Sequence, residues 1–145
     1  MVANVVDDVF NYLIAQNLAA GSTGWSLIRR KIMDDPAVSQ LVVVAEDGGT
    51  VEMNAVAGIG SGSIASKGVL VTVRAKDSES DVSFQKANAI LTALHGLKAV
   101  ELVSGGGLYF GIRALTPEPV FAGFDSRGRP LHTVAFRLLT DAANL

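Results

Sequence analysis

The chain has 145 residues, a net charge of −2, no cysteine and 49% hydrophobic residues. That length fits a single domain over residues 1–145, able to bury roughly 70% of the surface its unfolded form exposes. The charge balance argues against binding phosphate backbones through massed cations, and the lack of cysteine excludes disulfides and thiolate metal sites. Only 18% of residues are charged, where about a quarter is usual for a soluble domain. Such a surplus of apolar residues arises from a sheet covered on both faces, or from surface hidden against copies of the same chain. Apolar loops and strands outside the obvious core elements favour the second origin.

No stretch approaches 18 unbroken apolar residues, so no membrane span is expected. Asp7 and Asp8 stand where a secretory leader would be basic and then apolar, so this segment is expected to belong to the folded protein. Over residues 3–19, Val5, Val6, Val9, Phe10, Leu13, Ile14 and Leu18 recur at spacings of three and four. This predicts an amphipathic helix with Asp7, Asp8, Asn11 and Gln16 outward, ended by Gly21 and Gly24. Trp25 to Ile32 reads as a strand, and Arg29-Arg30-Lys31 as its solvated end. Asp34-Asp35-Pro36 is a turn, because the residue before proline is pushed out of helical space.

Leu41 to Ala45 is a β-branched apolar run that predicts a buried strand, closed by Asp47-Gly48-Gly49 as a hairpin or loop. Another short strand is expected within Val51 to Gly60, and Gly58 to Gly68 reads as a flexible loop. Val69 to Ala75 alternates Val69, Val71 and Val73 against Leu70, Thr72 and Arg74, the clearest strand in the chain. Ser78 to Asp81 offers cap oxygens for a second helix over 82–95, with Phe84, Ala87, Ile90, Leu91 and Leu94 on one stripe and Gly96 at its end. Strands near 98–103 and 108–115 follow, separated by Gly105 to Gly107. The last unit is a hairpin: Pro119 to Phe124, a charged loop from Asp125 to Pro130, and a strand. That strand sets Val134, Phe136 and Leu138 against Thr133, Ala135 and Arg137. The order predicts an α+β fold, a mixed and mainly antiparallel sheet with two helices packed on one face.

Motifs that carry chemistry are sparse. His95 falls in the last turn of a helix and His132 on a strand beside Val134. Neither has a His, Cys or carboxylate at ligand or catalytic spacing. Gly60-x-Gly62-x-x-Ala65 matches the dinucleotide fingerprint formally but lacks the preceding strand and following helix. Ser66-Lys67-Gly68 fails the phosphate-loop pattern, and no Gly-x-Ser-x-Gly elbow occurs. Tyr109, Phe110, Phe121, Phe124 and Phe136 do not interleave with basic residues as a single-strand nucleic-acid platform would, and read as core or interface packing. No catalytic residue, cofactor or metal ligand is therefore assigned.

These landmarks, in this order, resemble the tail terminator and minor capsid (tail completion) proteins of long-tailed bacteriophages. The resemblance rests on the N-terminal helix, the Asp34-Asp35-Pro36 turn, the Leu41–Ala45 strand and Val71-Thr-Val-Arg74. It continues through the Ala87 to Gly96 helix end and, most specifically, Gly123-Phe-Asp125-Ser-Arg-Gly128-Arg129 before a final strand. It implies a structural virion protein, not an enzyme, made in the bacterial cytoplasm and placed in the tail or neck. Its copies, usually six, would form a ring that caps the tail tube, stops its polymerisation and meets the head connector. The partners implied are sister subunits, the tail tube protein and the head completion protein, with DNA passing through the lumen unread. A head–tail adaptor is the alternative within this reading; a small-molecule enzyme or a nucleic-acid adaptor are the alternatives outside it. Arg74, Asp125, Arg127 and Arg129 are the candidate interface residues, since arginine forks onto carboxylates. Against this stand a salt bridge within the subunit for Arg74 and a plain turn-capping role for Asp125.

Overall fold

A computed structural model describes residues 4–30, 38–53 and 63–141, the side chains of 49–53, 63–64 and 141 excepted. Among these residues there are two α-helices, α1 (Val5–Ala15) and α2 (Ser80–Leu94), and one sheet of seven strands. The strands are β1 (Ser26–Arg29), β2 (Leu41–Met53), β3 (Ser63–Arg74), β4 (Lys98–Glu101), β5 (Leu108–Ala114), β6 (Val120–Phe124) and β7 (Pro130–Asp141). Their order is β1-β2-β3-β7-β5-β4, with β6 also on β7. β1 and β2 run parallel and every other pair is antiparallel, so the fold is α+β as the element order predicts.

Strand alternation decides where the core lies, because successive side chains point to opposite faces. Val42 and Val44 of β2, Val69, Val71 and Val73 of β3, and Val134, Phe136 and Leu138 of β7 share one face and are fully buried. Both helices cover that face: α1 with Val6, Val9 and Leu13, and α2 with Ala87, Ile90 and Leu94. The other face carries Leu70, Thr72, Thr133, Ala135 and Arg137, all half-buried. β5 and β6 share one edge of β7, β5 along Phe136–Thr140 and β6 along Pro130–Thr133.

Four expectations need correction. α1 stops at Ala15 because Asn17 takes a left-handed φ of 54° and Leu18 N–H donates to the Leu13 carbonyl, well before Gly21. Asp47-Gly48-Gly49 does not close a hairpin; it is a bulge inside β2, where the pairing with β3 slips between Glu46 and Gly49. The expected strand within 51–60 is the continuation of β2 as far as Met53. Residues 63–68 are not loop but the first half of β3, held between β2 and β7. The Asp34-Asp35-Pro36 turn, Lys31 and residues 54–62 lie outside the described residues.

Candidate functional site

The β6–β7 hairpin places the predicted interface residues. Asp125 begins the turn: its N–H donates to the Arg129 carbonyl (3.0 Å) and its carbonyl accepts from Gly128 N–H (3.0 Å). Gly128 adopts a φ of +72°, which glycine takes without a Cβ clash. The Asp125 carboxylate turns inward, accepting from the N–H groups of Arg127 (3.0 Å) and Arg129 (2.9 Å) and from Arg129 Nε (2.7 Å). Arg74, at the end of β3, brings Nη1 to 3.7 Å from the same carboxylate. Both arginines also donate to the Val38 carbonyl, Arg74 through Nη2 at 2.6 Å and Arg129 through Nη1 at 3.0 Å. Burial opposes charge on Asp125, but the hydrogen bonds from Arg129 and Arg127 outweigh it and hold the carboxyl below its ordinary range.

Three of the four candidates therefore meet in one buried network, with the Arg74 side chain 1% exposed, Arg129 5% and Asp125 14%. Within the chain, the guanidiniums of Arg74 and Arg129 bind the turn and the segment leading into β2. Arg127 alone points outward at the tip. The loop predicted to be charged presents one arginine and conceals the other.

What the hairpin does expose is apolar. β6 reads Val-Phe-Ala-Gly-Phe and is solvent-exposed along nearly its whole length; Val120 is 48% exposed, Phe121 49% and Phe124 61%. Among the described residues it pairs with β7 alone, and it carries no charge to guard its outer edge. Phe121 stacks edge-on to Phe124 (5.3 Å) and to its cross-strand partner His132 (5.4 Å), whose ring also meets Phe84 of α2 at 5.7 Å. Leu108, Phe110 and Leu139 add further exposed apolar surface at the far end of β5 and β7.

A second buried polar group was not anticipated. Asp8, expected outward on α1, is 6% exposed. It accepts from the Tyr109 hydroxyl (2.5 Å) and Gly107 N–H (3.0 Å). Burial, then the bond to Asp8, pushes the Tyr109 hydroxyl far above its ordinary range. Gly106 lies so close to Asp8 that a Cβ there would sit 2.6 Å from a carboxylate oxygen. The sequence did hold a signal, since Asp8 stands at stripe spacing between Val5 and Val9. His95 borders a surface cleft of about 450 Å³ lined by Leu91, Ala114, Leu115, Thr116 and Pro117, with no carboxylate among them. Its Nδ1 accepts from Ala114 N–H at 2.9 Å. Among the described residues no group of three metal-ligating side chains converges, and no helix is long and apolar enough to cross a membrane.

Fold and site together define a class: an α+β protein with one mixed sheet, two helices on one face and an apolar hairpin left uncovered. No protein-family model and no curated protein matches the chain. Among solved structures, it is similar to a chain of the "Virion of native gene transfer agent (GTA) particle". The TM-score is 0.65 at 17% sequence identity, and the match covers 95% of each chain. At that identity the likeness is one of fold.

Proposed function

We propose that this chain is a structural subunit of a phage-like particle, and specifically a tail terminator. Copies of it would close into a ring, six by resemblance, that caps the tail tube and joins the head connector. The observation that carries the reading is the fold likeness to a gene transfer agent virion chain over nearly the full length of both. The exposed strand β6 supports it, because an uncharged edge strand with two half-exposed phenylalanines is a liability unless another chain covers it. In a ring, one patch of each subunit meets a different patch of the next, and closure needs both. In this account Val120, Phe121 and Phe124 supply the apolar part of one patch and Arg127 a polar contact at its rim. Arg74, Asp125 and Arg129 hold the tip in the shape that presents them. The role is steric, with no substrate turned over.

The test is sedimentation of the purified chain across concentration, with negative-stain microscopy of the largest species. Rings at high concentration are expected, and their loss when Phe121 and Phe124 are both changed to serine in a variant that keeps its far-UV circular dichroism. A chain that stays monomeric with or without the tail tube protein would overturn the reading. Binding to the connector protein but not to tube ends would instead identify a head–tail adaptor.

A further inference from the structure

His132 joins two parts of the molecule that share little else. It lies on β7, 5% exposed, with Nδ1 2.6 Å from the Ser83 hydroxyl of α2. Ser83 has one proton, and its oxygen also lies 3.0 Å from the Ser80 carbonyl. When that proton goes to Ser80, Nδ1–H donates to Ser83; when it goes to Nδ1, the imidazole accepts. Among the described residues this is the ring's one hydrogen bond. Phe84 of α2 and Phe121 of β6 both approach the ring edge-on, and Phe124 stacks in turn on Phe121. The imidazole thus bridges Phe84 of α2 and Phe121 of β6, a strand whose backbone pairs with β7.

We propose that His132 is a proton-operated latch: neutral, it seats β6 against α2, and charged, it releases that strand. Among the described residues no carboxylate bonds to it. α2 brings Ser83 and Phe84 to the ring, β3 brings Val73 as cross-strand partner, and β6 brings Phe121. The charged residues nearby are engaged elsewhere or point away. Arg74 beside Val73 lies on the opposite face, Asp125 and Arg129 bind each other, and Asp81 of α2 is exposed. Protonation would add a second N–H and a full charge to a ring with one polar neighbour and two apolar ones, which is costly unless the contact opens. Burial accordingly holds the imidazole below its ordinary value of 6.5. The latch follows from this geometry alone; that the strand it releases is an assembly surface rests on the function proposed above.

Hydrogen exchange by mass spectrometry on the intact chain, corrected for the intrinsic pH dependence of exchange, reads the latch directly. Between about pH 7.5 and pH 5, protection of residues 120–124 is expected to fall by about tenfold or more relative to residues 65–74. His132→Gln, neutral at both pH values, should remove that difference. Should the variant fail to fold, nuclear magnetic resonance of the wild-type imidazole decides, with His95 as the second resonance. A His132 midpoint below 6.5 that coincides with shifts in Phe121 and Phe124 supports the latch. A midpoint at or above 6.5, a titration that leaves β6 unchanged, or a pH response that survives in His132→Gln overturns it. Sedimentation at pH 7.5 tests the ring separately, so either idea can fail without the other.

Discussion

Asp8 sits on α1, yet its carboxylate is bonded from Tyr109 and Gly107, about a hundred positions along the chain. Removing the Tyr109 hydroxyl leaves a buried charge with one donor fewer, so Tyr109→Phe should cost about 2 kcal/mol in urea unfolding. The Asp125 network is larger, since its one carboxylate faces two buried guanidiniums. Asp125→Ala should cost roughly 3–5 kcal/mol by the same measurement, because breaking a buried pair strands the partner charges. The sign with pH follows from the lowered carboxyl: its contribution is complete above the ordinary value of 3.8 and lost as pH falls through the lower folded value. Acid titration of unfolding should therefore show this loss in the wild type below about pH 4, and not in Asp125→Asn. Arg127→Glu should leave stability within about 0.5 kcal/mol, whereas Arg129→Glu should disrupt the fold by setting two carboxylates together. Sequence distinguished these two arginines poorly. Both follow the same turn residue, and only the path of β3 and the segment before β2 decides which one is buried.

Elements rich in valine or leucine were legible, since burial and periodicity coincide in α1, α2, β3 from Val69 onward and β7. Composition misled at Ser63 to Gly68, where small residues with little intrinsic strand preference are held by hydrogen bonds to strands on both sides. The same neighbourhood explains the bulge in β2. Asp47 folds its carbonyl over Gly68, where Arg137 Nη1 donates to it at 3.0 Å. A Cβ on Gly68 would overlap both the Asp47 carbonyl oxygen and the Arg137 guanidinium. Gly68→Ala should therefore cost about 3 kcal/mol or more, visible as a lower thermal midpoint, because the backbone cannot step aside as a flexible side chain would. A glycine-rich run read as slack in the sequence is, at Gly68, a close approach between strands.

At the scale of the whole molecule, the two helices cover one face of the sheet and leave an apolar strand at its rim. That architecture was readable from the alternation of helices and strands, and so was the excess of apolar residues. Where that excess surfaces was not, because β6 has the same composition as a core strand and only its place on the outer edge of β7 exposes it. The likeness to a gene transfer agent virion chain and the uncovered Phe121 and Phe124 lead to the same expectation, a subunit finished by its neighbours. The most direct measurement is the sedimentation profile of the wild-type chain at neutral pH beside that of the Phe121→Ser, Phe124→Ser double variant. The account predicts a ring-sized species in the first and folded monomer in the second. Identical profiles for the two would contradict it.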